Sequence, residues 1–136
     1  MLYFANDYTE GACKEILDAF IRTNDEKLPG YGTDKYTLSA EEKIKKACKN
    51  KNVDGYLLTG GTQTNAVVID ALLESYEGVI SPETGHINVH ESGAIEFTGH
   101  KVLTLPQHEG KINSGELREY IETFYNDQNH KHMVYP

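Results

Sequence analysis

Apolar residues recur along the chain with helical spacing in some stretches and as short runs in others. Over residues 12–24, Ile16, Leu17, Phe20 and Ile21 fall at i, i+1, i+4 and i+5, on one face of a helix. A second amphipathic run opens at Ser39, which Glu42 follows at the spacing of a capping box. Ala40, Ile44, Ala47 and Cys48 share its face. Between these runs, residues 25–38 carry Pro29 and several turn formers without a period and read as a loop. Residues 53–58 (VDGYLL) read as a buried strand running into Thr59-Gly60-Gly61-Thr62. The helix that follows, about residues 64–76, is apolar on most sides, which predicts burial.

Residues 79–80 and 102–105 are short strands, the second stopped by Pro106. Residues 83–100 form a long connection, rich in Gly and His at its start, with a short strand at Ala94–Phe97. Asn113 with Glu116 resembles another capping box. Leu117, Ile121 and Phe124 behind it lie at i, i+4 and i+7. Residues 2–8 are extended or irregular, and 132–135 read as the start of a strand. Alternating helices and strands predict an α/β fold, a mostly parallel sheet flanked by helices. No internal repeat or linker divides it. Both faces of a parallel sheet need cover, and no helix follows the last apolar run. The expectation is a single partial domain over residues 1–136.

Composition narrows the function. With 13 basic and 21 acidic residues the net charge is −8. That excess disfavours nucleic acid and anionic membrane surfaces as partners. No apolar run approaches the ~18 residues of a membrane-spanning helix, and the first residues lack the pattern of a signal peptide. Cys13 and Cys48, the only two cysteines, read as reduced thiols of a cytoplasmic protein.

The strongest local signal for chemistry is the strand–Gly60-Gly61-Thr62–helix unit. Glycines permit a tight turn, and a hydroxyl with free N–H groups at a helix start favours a phosphate. An ordinary strand–helix turn has the same look. The unit is neither a Walker A loop nor a dinucleotide fingerprint. His86, His90 and Glu91 form H-x3-H-E. The residues between do not make a convincing helix and H-E-x-x-H is not matched, so no metal site is assigned. A His stacked on an aromatic ligand is the better functional use, and a structural His the plain alternative. Tyr31-Gly32-Thr33-Asp34 is a turn whose Tyr reaches a ligand or a neighbouring subunit, or stands in solvent. No nucleophile arrangement has a local signature.

Taken in order, Asn6-Asp7-Tyr8, Tyr31-Gly32-x-Asp34, Gly60-Gly61-Thr62-x-x-Asn65, Gly85-His86-Ile87 with Glu91 and Gly93-Ala94, Thr98-Gly99-x-Lys101 and Gly110-Lys111 span nearly the whole chain. This set resembles the N-terminal part of the low-specificity threonine aldolase and β-eliminating lyase group of enzymes dependent on pyridoxal 5'-phosphate (PLP). The resemblance implies the large-domain fold of PLP-dependent transferases and a carbon–carbon lyase that cleaves β-hydroxy amino acids, threonine to glycine plus acetaldehyde. It implies that Gly61 and Thr62 hold the cofactor phosphate. His86 would stack on the pyridine ring and serve as a catalytic proton-transfer group. Asn6, Asp7, Tyr31 and Asp34 would shape the site, and Glu91 is a family position without an assigned role. It further implies a homo-oligomer.

The lysine that bonds the cofactor, the acid that meets the pyridine nitrogen, the arginine that binds the substrate carboxylate and the small C-terminal domain lie beyond residue 136 in that family. The expectation is therefore a truncated chain with little or no activity by itself. The alternatives are a free-standing α/β module for a small phosphorylated ligand and an oligomerising non-catalytic fragment.

Overall fold

The computed structural model describes residues 5–6, 8–127 and 134–136. The chain forms two compact units that divide between Tyr56 and Leu57.

The first unit holds two helices, α1 (Lys14–Thr23) and α2 (Lys35–Ala47). The first lies within the span its periodicity predicts. The second starts at Lys35, one turn before the expected Ser39, because a stronger cap lies upstream. Asp34 Oδ1 accepts the backbone N–H of Tyr36 at 2.8 Å and of Thr37 at 3.0 Å, while Oδ2 accepts the Thr37 hydroxyl at 2.6 Å. Two of the helix's orphan donors are thereby satisfied. The Thr37 hydroxyl, then the backbone donors, hold the Asp34 carboxyl below its usual range. Lys35 and then Tyr36 do the same for Glu26.

A lowered carboxylate stabilises the fold above the unfolded value of about 4 and loses that contribution as pH falls through the folded value. Helix content followed by circular dichroism should therefore fall on acidification below about pH 4. Asp34→Asn, which keeps the cap acceptor without the titration, should reduce that acid loss and leave the part due to Glu26. An unchanged acid profile would count against Asp34 as a titrating cap.

Residues 53–58 are not a strand, against the sequence expectation. Among the described residues no sheet hydrogen bond reaches them, and Tyr56 and Leu57 are exposed. An apolar run becomes a strand only where another strand offers its backbone.

In the second unit, α3 (Gly61–Leu72) is followed by β1 (Gly78–Pro82), α4 (His86–Val89), α5 (Ala94–Phe97), β2 (Lys101–Leu105) and α6 (Ser114–Asn126). β1 and β2 pair in parallel from Gly78↔Lys101 to Pro82↔Leu105. Tyr135 adds a parallel bridge to Glu77, so the part of the expected 132–135 strand that is described does join the sheet. Residues 132–133 lie outside the described residues.

Ala94–Phe97 is a helix, not the expected strand. The turn Glu91–Ala94, with positive φ at Ser92 and Gly93 and a 3.0 Å bond from Ala94 N–H to Glu91 O, leads the chain into it. α5 packs on α3 and β2, and its Ile95 is completely buried. Val102, Leu103 and Leu105 complete a small core. α3 begins at Gly61, three residues earlier than expected, and it is not buried. Val67, Val68 and Leu72 are exposed because the unit packs only α5 closely against it.

α6 is capped by Asn113, whose Oδ1 accepts from Gly115 N at 2.8 Å and Glu116 N at 3.3 Å. The capping box is not reciprocal, since the Glu116 carboxylate lies 2.9 Å from His108 Nε2 instead.

Candidate functional site

Two structural features converge in the second unit. The first is the start of α3. Gly60, in extended backbone, is its N-cap and supplies no side-chain cap. Gln63 Oε1 accepts from the N–H and hydroxyl of Thr59, while Thr64 N–H and Oγ1 both go to Gly60 O. Among the described residues the N–H groups of Gly61, Thr62 and Gln63 have no partner. Open donors at the positive end of a helix dipole suit an anion.

The second feature is the stretch from Gly85 to Gly93. β1 ends in Pro82, and Gly85 N–H bonds back to Pro82 O at 2.7 Å. This tight return leaves no room for a side chain. A Cβ on Gly85 would overlap Ser81 Oγ and stand 2.9 Å from Pro82 O. The single turn of α4 follows at once, so residues 86–89 are helical where the sequence predicted no convincing helix. The ring of His86 lies 5.4 Å from that of His90, tilted by 49°.

Glu91 joins the two features. Its Oε1 accepts from Asn65 Nδ2 at 2.6 Å and lies 2.8 Å from His86 Nδ1. Asn65 is one helical turn beyond Gly61 on the same face of α3, about 6 Å along the axis. The carboxylate therefore ties the His86 ring to the first turns of α3. The Glu91 side chain is 0% exposed, whereas that of His86 is 66% exposed and presents its ring outward.

His86, Glu91 and Asn65 thus form one hydrogen-bonded set, and the open N–H groups of Gly61 and Thr62 lie about one turn before Asn65 on α3. The remaining predicted residues lie in the first unit or outside the described residues. Asn6 Oδ1 accepts from Tyr8 N–H at 3.1 Å and from the Thr9 hydroxyl, a local turn. Asp7 is outside the described residues. Asp34 is engaged in capping α2. Tyr31 is fully exposed with φ +60°, followed by Gly32 at +75°. A left-handed tyrosine in solvent is strained backbone with no packing in return.

Two polar residues escaped the sequence reading. Asn65 was visible only as part of a motif, although its spacing from Gly61 marks it as facing the same way. His100 is buried, with Nδ1 3.1 Å from Glu77 O and Nε2 3.4 Å from Asp70 Oδ1. It ties α3 to the start of the sheet, and no sequence pattern announced it. A recess of about 780 Å³ at the end of α2 is lined by lysines, Lys43, Lys45, Lys46, Lys49 and Lys51 among them. Its size does not make it the site, since it contains no buried polar network.

Residues 4–134 match the beta-eliminating lyase family. The chain belongs to that family. The chain is 32% identical over 118 residues to the low-specificity L-threonine aldolase of Pseudomonas sp. (strain NCIMB 10558). It is 30% identical over 118 residues to the low-specificity L-threonine aldolase of Pseudomonas aeruginosa. Each alignment covers 85% of this chain and 34% of the relative. The structure of Leishmania major threonine aldolase superposes with a TM-score of 0.87 at 37% identity, over 96% of this chain and 37% of that one. The chain therefore spans about a third of the length of these relatives. The likeness supports the expected fold, a parallel sheet flanked by helices in the manner of a PLP-dependent transferase large domain.

Proposed function

We propose that this chain is the phosphate-binding and ring-stacking part of a PLP-dependent carbon–carbon lyase that cleaves β-hydroxy amino acids, threonine to glycine plus acetaldehyde. The observation that carries the reading is the Glu91 bridge, which ties an exposed imidazole to a helix start with three open N–H groups. Those residues fit the cofactor. The N–H groups of Gly61 and Thr62, with the Thr62 hydroxyl, would hold its phosphate. The exposed ring of His86 would hold the pyridine by stacking, and its Nε2 would take and return the substrate proton. When bound, PLP supplies the electron sink for breaking the Cα–Cβ bond.

Asn6, Asp7, Tyr31 and Asp34 keep the site-shaping role that the family resemblance implies. The exposed apolar residues Phe20, Ile21, Leu72 and Phe97 support a homo-oligomer. The free, exposed thiols of Cys13 and Cys48 support a cytoplasmic setting. Among the described residues no helix is long and apolar enough to cross a membrane.

The test is calorimetric titration of the 136-residue chain with pyridoxamine 5'-phosphate and with pyridoxamine. Neither carries an aldehyde, so adventitious bonding to surface lysines is avoided. The phosphorylated form should bind at least tenfold more tightly, a difference of about 1.4 kcal/mol or more. Equal binding would remove the phosphate role from the Gly61–Thr62 turn. With PLP itself, borohydride reduction should label lysines in a scattered, substoichiometric way, and residues 1–136 alone should not turn over threonine. One lysine labelled to completion would place the covalent anchor within this chain.

A further inference from the structure

Glu91 is the one buried carboxylate among the described residues. Removing a carboxylate from water costs several kcal/mol unless partners compensate. Here the compensation is lopsided. Oε1 has both contacts, with Asn65 Nδ2 and His86 Nδ1, while Oε2 is buried without a hydrogen-bond partner among the described residues. A group serving only to tie α3 to the 85–93 stretch would be better satisfied as an amide or replaced by apolar packing. What a carboxylate does better is accept. A carboxylate oxygen that accepts in the 2.8 Å contact places the hydrogen on His86 Nδ1. The lone pair of the neutral ring is then on Nε2.

We propose that Glu91 is the positioning residue of this site. Its Oε1 holds His86 in the Nδ1–H tautomer and sets the ring plane, so that Nε2 is the nitrogen that exchanges the substrate proton. Asn65, donating to the same oxygen, orients the carboxylate. The task given to Nε2 rests on the reading of His86 above, whereas the tautomer is a property of the chain itself and needs no cofactor. The arrangement is the carboxylate–imidazole pairing by which one ring nitrogen dictates the state of the other. The turn at Ser92 and Gly93, both at positive φ, positions the backbone of Glu91.

The experiment is long-range proton–nitrogen correlation NMR on the ¹⁵N-labelled chain without cofactor, at a pH where His86 is neutral, with its signals assigned by loss in His86→Gln. The wild-type ring should be predominantly Nδ1–H. Asn65→Ala should leave that preference in place. Glu91→Gln, whose amide can present its N–H2 as well as its oxygen to the ring, should weaken it. Glu91→Leu should reverse it to the Nε2–H excess of an unpaired imidazole. A wild-type ring with Nε2–H in excess overturns the proposal, and so does a Glu91→Leu ring that keeps Nδ1–H. The wild-type spectrum decides even if Glu91→Leu fails to fold. Failure of the pyridoxamine 5'-phosphate titration with the Nδ1–H preference intact would strike the cofactor reading alone. An Nε2–H ring in a chain that binds the phosphate would strike this inference alone.

Discussion

Ile95→Ala should destabilise the unit that begins at Leu57 by about 2–5 kcal/mol, the usual cost of truncating a fully buried Ile. Ile95 is 0% exposed, on a helix of only four residues. A helix that short has no stability of its own and is held by what its side chains bury. α5 packs on α3 and β2, so the lost methylenes would leave a hole where all three meet. The surrounding core is small, with Val102, Leu103 and Leu105 as its other buried apolar residues among those described. Domains have a net stability of about 5–15 kcal/mol, so the loss would be a large share of the total. Urea unfolding followed by near-ultraviolet circular dichroism measures it. A shift below about 1 kcal/mol would mean that the site collapses around alanine and that Ile95 is not the keystone. The consequence for the site is indirect. Glu91 stands at the head of the turn that enters α5, so a loosened α5 also loosens the carboxylate.

Gly85→Ala should cost about 1–3 kcal/mol, as overpacking does, and should also displace His86. The cause is close approach and not backbone freedom, because Gly85 has φ −64°, which any residue adopts. A new Cβ would meet Ser81 Oγ and the carbonyl of Pro82. Ser81 is itself buried and the carbonyl is backbone, so relief requires the chain to move at the junction between β1 and α4. His86 is the next residue. Its 2.8 Å contact with Glu91 should lengthen, and binding of pyridoxamine 5'-phosphate should weaken together with stability. Thermal denaturation and the same calorimetric titration read the two effects. A variant that melts like the wild type and binds equally well would show that Ser81 can turn aside, and that Gly85 does not set the place of His86.

Local signals were readable where a single element contains its own reason. The Ile16–Ile21 stripe marks α1, and Asn113 marks the start of α6. The alternating order of apolar runs anticipates the parallel pairing of β1 with β2. The errors share a different cause. The Asp34 cap competes with Ser39 one turn downstream, and sequence spacing cannot weigh a cap that uses both carboxylate oxygens against one that does not. Residues 53–58 have strand composition but no strand beside them. Ala94–Phe97 has an apolar pattern compatible with either state, and the turn at Ser92-Gly93 with the burial of Ile95 makes it helical. The apolar α3 was expected inside and lies open.

The sequence by itself determined the fold class and the family resemblance, and it offered the residue types of the candidate site, because turn glycines, a hydroxyl at a helix start and an ordered series of motifs are properties of neighbours along the chain. Only the tertiary structure decided which groups Glu91 joins. Its partners are Asn65 and His86, 26 and 5 residues away. The buried oxygen that joins them exists only once α3 and the 85–93 stretch have packed, since hydrogen-bond geometry across such separations is set by the fold and leaves no periodic trace in the sequence.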